Sequence, residues 1–193
     1  MGLDKRIGRT YLYAGVGYGG SCLPKDVLAF VAVAEKFGYD FGLLKEVDRI
    51  NEDQIENFVK RIREMLGGTV EGKKIAILGL SFKPNTDDIR NAPSLKIIEL
   101  LLDQGAEITA FDPVAMPNIK KVLHSRIDYT KDAYDVAKGA DCLAVVTDWN
   151  EFRDLDLARV KKLMRTSLIA DGRNIYDADK VKDLGFNYFG IGR

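Results

Sequence analysis

The chain has 193 residues, which at roughly 150 residues per domain leaves room for one domain and a sizeable appendage, not for two full enzymatic domains. Hydrophobic residues make up 46% and charged residues 30%, which excludes the apolar-poor, highly charged mixture of a disordered chain, and a chain of this size buries about 70% of its unfolded surface. Lys plus Arg and Asp plus Glu both total 29, so no basic excess argues for nucleic acid, and no apolar run reaches the roughly 18 residues of a membrane span.

Residues 1 to 24 hold a basic opening, without the apolar core of a signal peptide, and then the glycine cluster Gly15, Gly17, Gly19 and Gly20. From Pro24 the pattern turns helical. Proline is favoured in a first turn, where its missing N–H would be unpaired anyway, and Val27, Leu28, Phe30, Val31 and Val33 follow at near-helical spacing up to Phe37-Gly38. A longer helix is expected from about Phe41 to Leu66, with Leu44, Val47, Ile50, Ile55, Phe58, Val59, Ile62 and Leu66 along one side and Gly67-Gly68 ending it. After Gly72 the period changes. Lys74 to Leu80 reads as a strand, Ser94 to Gln104 as a helix, and Glu107 to Phe111 as a strand closed by Asp112-Pro113. This βαβ unit predicts a right-handed crossover in a parallel sheet. Further strands are expected at Asp141 to Thr147, Ser167 to Asp171 and Phe186 to Gly190, with helices near 133–138, 157–164 and 178–183. The expected fold is α/β: a helical section over 1–70 and a Rossmann-like, doubly wound parallel-sheet domain over 71–193.

Three stretches can carry chemistry. In GVGYGGSCLPKD the glycines let backbone N–H groups approach a ligand, and Cys22 stands at a helix start. The helix start and Lys25 both favour a thiolate, a nucleophile, and Asp26, one turn on, is placed to hold a water beside the sulfur. The competing reading is a glycine turn capping a helix over a buried Cys22. In LSFKPNTDDIRNAPS the expected carboxyl edge of the sheet carries Lys83, Asp87, Asp88 and Arg90. The GxGxxG fingerprint is missing after this strand, so a phosphate or diphosphate held by Lys83 and Arg90 is expected in place of a dinucleotide, against a charged surface loop capping a helix through Asn91 or Ser94. Arg173, after Asp171-Gly172, is placed at the same edge to stack or to pair with an acid. Cys142 and Trp149 with Phe152 read as packing, and His124 is given no role. The two cysteines form no metal or disulfide pattern, so no metal is expected, and a reducing, cytoplasmic setting is.

Together, GVGYGGSCLPKD, the helical section and FKPNTDDIRNAPS followed by a second βαβ unit resemble the nucleotide-sugar dehydrogenases of the UDP-glucose and GDP-mannose type, over essentially the whole chain. The resemblance implies an NAD-dependent oxidation of a sugar carbon to a carboxylate in two hydride removals. Cys22 would be the nucleophile and Asp26 the residue that orients the hydrolytic water. Tyr11, Leu12, Tyr13, Ala14, Gly15 and Gly19 would cradle the UDP-sugar, Lys83 and Arg173 would bind it, and Arg6 would reach a neighbouring subunit's site. Lys25 and Arg90 would reach the NAD phosphates. The spelling Cys-Leu-Pro-Lys-Asp points to the UDP-glucose or GDP-mannose branch, and Asp4 to Gly8 to the UDP-glucose side, with GDP-mannose as the alternative substrate. The family's N-terminal NAD domain has no counterpart in these residues. The expectation is therefore a nucleophile-bearing part, from a truncated or split enzyme, that needs a separate NAD-binding chain and forms a homodimer through its helical section. A non-catalytic UDP-sugar-binding or dimerisation module is the other reading.

Overall fold

The computed structural model describes residues 1–9 and 12–193. Two helices come first: α1 (Leu23–Lys36) and α2 (Gly42–Met65). Both stop where the sequence places glycine. Gly38 has φ +75° and Gly67 +91°. At each, the next residue reaches back to close the last turn, Tyr39 N–H to the Ala34 carbonyl at 3.0 Å and Gly68 N–H to that of Arg63 at 2.9 Å. Only a residue tolerant of the left-handed region terminates a helix this way without strain.

Strands and helices then alternate: β1 (Lys74–Leu78), α3 (Pro93–Asp103), β2 (Glu107–Phe111), α4 (Met116–Leu123), β3 (Asp128–Tyr129), a 3-10 turn (Asp135–Ala137), β4 (Cys142–Val145), α5 (Asn150–Arg153), α6 (Leu157–Leu163), β5 (Leu168–Asp171), α7 (Ala178–Asp183) and β6 (Asn187–Gly190). All strand pairs are parallel, in the order β3-β2-β1-β4-β5-β6. This is the doubly wound arrangement expected, with the strand order reversing between β1 and β4, where such sheets open a crevice at their carboxyl ends. Three details differ from the sequence reading. The expected helix at 133–138 is a 3-10 turn, and α4, the two-residue β3 and the four-residue α5 had no clear signal. Neither Asn91 nor Ser94 caps α3. That helix starts after Ala92 on Pro93 with no side-chain cap, and Ser94 Oγ donates to the Leu80 carbonyl at 2.7 Å instead.

Alternation along each strand sorts side chains to two apolar layers. Ile75, Ile77, Cys142 and Ala144 face a cluster with Ile97, Ile98, Leu101 and Ile119, while Ala76, Leu78, Leu143 and Val145 face Val136, Phe152, Val160 and Val181. The first cluster also takes in Ile55, Phe58, Val59 and Ile62 from the second half of α2. That half of the long apolar stripe is thus buried within the chain itself. The first half is not: Leu43, Val47 and Ile50 are exposed, as are Leu28, Phe30 and Val33 on α1, a helix with no buried residue.

Phe58 is 1% exposed, and its ring lies 5.5 Å from that of Phe189 on β6. Replacing it with alanine should cost about 3–5 kcal/mol in urea unfolding, the usual loss for a buried aromatic. A loss below about 1 kcal/mol, the mean for an arbitrary substitution, would mean that α2 and the sheet do not share a core.

Candidate functional site

The glycine strip before Cys22 is laid across the carboxyl edge of the sheet and stitched to it by its backbone. Val16 N–H donates to the Gly172 carbonyl at 2.9 Å, just past β5. Gly20 N–H donates to the Arg90 carbonyl at 2.9 Å, and Asn91 Nδ2 returns a bond to the Gly20 carbonyl at 3.2 Å. On the other side, Asn51 of α2 accepts from Tyr18 N–H at 2.8 Å and donates to the Tyr18 carbonyl at 3.2 Å.

These approaches need the missing side chains. A Cβ on Gly19 would stand 2.0 Å from the Asn91 carbonyl oxygen, and one on Gly172 would stand 2.1 Å from the Val16 side chain. Gly20 has φ +84° and lies against the Phe82 ring. The strip thus brings Cys22 to the loop that carries Lys83 and Arg90.

Cys22 is exposed and Cys142 buried. Cys22 ends the strip and starts α1, its carbonyl accepting from Asp26 N–H at 2.8 Å and its sulfur lying 3.8 Å from Ser21 Oγ. Asp26 is also exposed and is 3.4 Å from the Lys25 ammonium. Arg90 is held above the ordinary guanidinium value, first by its hydrogen bonds to Asp88, at 2.7 Å from Nη2, and in smaller part by the sulfur of Cys22. In return Arg90 keeps the Asp88 carboxyl below its usual range. The sulfur, Lys25, Asp26 and Arg90 therefore share one exposed corner.

The remaining expected residues are placed as follows. Lys83 is exposed, its ammonium 5.3 Å from the centre of the Phe82 ring, the same ring that packs on Gly20. Arg173 pairs with Asp148 at 3.2 Å, and the Nη1 side of its guanidinium lies where a Cβ on Gly15 would come within 2.8 Å. Leu12, Tyr13 and Ala14 are exposed on the approach to the strip. Arg6 is held by its own neighbour Asp4 at 2.7 Å and points away as an 89% exposed side chain. Tyr11 lies outside the described residues. No cluster of His, Cys, Asp and Glu among the described residues could hold a metal.

Sequence reasoning missed Asp112. Its buried carboxylate accepts from Leu80 N–H at 2.8 Å, Ser81 N–H and Oγ at 3.2 Å, and Trp149 Nε1 at 3.2 Å, all through Oδ2. Oδ1 takes the N–H groups of Val114 and Ala115. The turn after β1 is where a Rossmann sheet offers N–H groups to a dinucleotide pyrophosphate. Here those donors already hold an anion of the chain's own. This crevice does not fit a dinucleotide, in keeping with the missing GxGxxG. The signal was present, an acid directly after the second strand, but nothing in the sequence says which donors it finds.

A doubly wound parallel sheet with a glycine strip ending on an exposed thiol at its carboxyl edge defines a Rossmann-like domain joined to a helical section. The UDP binding domain of the UDP-glucose/GDP-mannose dehydrogenase family matches residues 76–178, and the central domain of the same family matches residues 1–53. The chain belongs to this family. It is 44% identical over all 193 residues to a UDP-glucose 6-dehydrogenase of Rhizobium meliloti and 46% identical to one of Bacillus subtilis. A UDP-glucose dehydrogenase structure from Pyrobaculum islandicum superposes with a TM-score of 0.85 at 36% identity, covering 98% of this chain and 41% of that one. The chain spans 44% of the length of each of those two curated relatives.

The exposure difference between the two thiols is directly measurable. With iodoacetamide under native conditions, Cys22 should be alkylated and Cys142 should not, because burial both shields the Cys142 sulfur and pushes its thiol up, leaving it protonated at pH 7 to 9. Mass spectrometry that found Cys142 modified first would contradict the placement.

Proposed function

We propose that this chain is the substrate-binding and nucleophile-bearing part of an NAD-dependent UDP-glucose 6-dehydrogenase, with residues 1–70 carrying the thiol loop and residues 71–193 the nucleotide seat. The observation that carries the reading is the convergence on the glycine strip of Arg173, at Gly15, and of the Arg90-Asn91 loop, at Gly19 and Gly20, with the strip ending on an exposed Cys22. The identities to UDP-glucose 6-dehydrogenases over the whole chain support this sugar over GDP-mannose.

NAD, when bound, supplies the hydride acceptor for both oxidations. Lys25 and Arg90, exposed beside Cys22, fit its phosphates, while the crevice filled by Asp112 does not. The chain's own residues do the rest. The backbone of Leu12, Tyr13, Ala14, Gly15 and Gly19 lines the diphosphate and sugar, with Lys83 and Arg173 as counter-charges. Cys22 sulfur adds to the C6 aldehyde carbon, forming a C–S bond while the carbonyl oxygen takes up a proton. Once that carbon has been oxidised to a thioester, a water positioned by Asp26 adds to it, the C–S bond breaks, and a carboxylate and the free thiol are released. Arg6, extended into solvent, suits the role of reaching a second subunit.

The exposed residues Leu28, Phe30, Val33, Leu43, Val47 and Ile50 support a homodimer through α1 and the first half of α2. An exposed catalytic thiol suits a reducing, cytoplasmic setting. Among the described residues no helix is long and apolar enough to cross a membrane.

Calorimetric titration with UDP-glucose tests the binding half of the reading. Binding is expected, weakened about tenfold or more by Lys83→Ala or Arg173→Ala, the value of a charge-assisted hydrogen bond, and little changed by Cys22→Ser. Mixing the chain with the NAD-binding domain of a relative should release NADH from UDP-glucose only when Cys22 is present. Heat no greater than dilution would leave a dimerisation module without substrate.

A further inference from the structure

Asp148 follows β4 and Arg173 follows the neighbouring strand β5, so both stand on the carboxyl edge of the sheet. Their side chains are 21% and 25% exposed, more enclosed than an ordinary surface pair. The contact is directional. Arg173 presents one edge of its guanidinium, Nε and Nη2, to the single oxygen Oδ1 of Asp148, each at 3.2 Å. The other oxygen, Oδ2, accepts from Arg153 Nη2 at 3.3 Å, which stops the carboxylate from swinging away. The opposite side of the guanidinium, Nη1, is turned to the glycine strip at Gly15, where the absence of a Cβ admits it.

The backbone of Arg173 is secured separately. Its N–H donates to Asp171 Oδ1 at 3.1 Å, and Asp171, fully buried, is held in turn by Tyr176 N–H and Tyr188 Oη at 3.0 Å. What remains to be ordered is the long side chain, and Asp148 is the group that orders it. An arginine free to sample many rotamers loses affinity each time it must be immobilised on a ligand, and one already aimed does not.

We propose that Asp148 is a positioning residue of the nucleotide site, orienting Arg173 so that its Nη1 edge faces the diphosphate of a nucleoside diphosphate lying along the glycine strip. This rests on reading the sheet edge as the nucleotide seat. The role differs from that of Asp112. Asp112 fills a crevice of its own with backbone donors, whereas Asp148 leaves one edge of a cation available.

The test is a cycle on the 193-residue chain with UDP as probe, read by calorimetry and by the 15N signal of the Arg173 side-chain Nε–H. Asp148→Ala should weaken UDP between about threefold and tenfold, the cost of ordering one arginine side chain. Asp148→Glu should recover part of this, and Asp148→Ala combined with Arg173→Ala should be no weaker than Arg173→Ala alone. The Nε–H signal, assigned by its loss in Arg173→Ala, should move to the free-arginine position in Asp148→Ala. An equal loss of affinity with and without Arg173, or an unmoved Nε–H signal, overturns the proposal. Should the wild-type chain bind no UDP, the nucleotide seat is refuted while the Nε–H signal still decides the orientation claim. Asp148→Asn, nearly isosteric, serves both readouts if the alanine variant does not fold.

Discussion

The whole site depends on glycine backbone lying closer to its neighbours than a Cβ would allow. Gly19 against the carbonyl of Asn91, Gly172 against the Val16 side chain and Gly15 against the Arg173 guanidinium are three such meetings; the first joins the segment before α1 to the loop after β1, and the other two join it to the turn after β5. An alanine Cβ at Gly19 would lie at roughly half the normal carbon-to-oxygen contact distance. Neither partner is the tip of a flexible side chain there, so the strip would have to lift. Lifting it takes Cys22 away from Arg90 and Lys83. The strip is held down at intervals, by Val16 and Gly20 N–H donating to the Gly172 and Arg90 carbonyls and by Tyr18 N–H donating to Asn51.

That arrangement explains what could and could not be read from the residues in order. The strands β1, β2, β4 and β5 were legible because a strand buried on both faces leaves a continuous apolar run, as in KIAIL or CLAV. The glycine strip and the start of α1 were legible because their signal is local: glycines, a cysteine and a helix-starting proline within a few residues. The helix α4 was not, since MPNIKKVL is short and opens on a proline that reads equally as a turn. The fate of the α2 stripe was hidden for another reason. Periodicity shows that one side is apolar along its length, but not that Ile55 to Ile62 meet the sheet while Leu43, Val47 and Ile50 stay exposed. Asn51, Asp112 and Asp148 escaped because a polar side chain is defined by its partner. Theirs lie between 25 and 37 residues away in sequence at Tyr18, Leu80, Trp149 and Arg173.

Two carboxylates on the same edge illustrate how one fold assigns opposite tasks to one residue type. Asp112, 1% exposed, spends both oxygens on backbone N–H groups, a serine and an indole. It converts a potential anion site into part of the scaffold and fastens the ends of β1, β2 and β4 together. Asp148, two strands away and less buried, is shared between two arginines and leaves the Nη1 edge of Arg173 turned to the glycine strip. The charge of the first is consumed by the fold, and that of the second sets the direction of its neighbour. The distinction rests on burial and donor type, because backbone amides cannot turn away whereas guanidinium groups can.

Helix α1 has no buried residue, and its principal support is α2. Segments with few apolar contacts open at the lowest cost in free energy. The sulfur therefore stands where a clamped stretch of chain passes into a less anchored one: upstream the strip is hydrogen-bonded to the sheet edge, downstream the helix rests chiefly on α2. Any surface that covered the exposed side of α1 would steady the downstream side as well, and with it the position of the Cys22 sulfur, without having to touch the thiol.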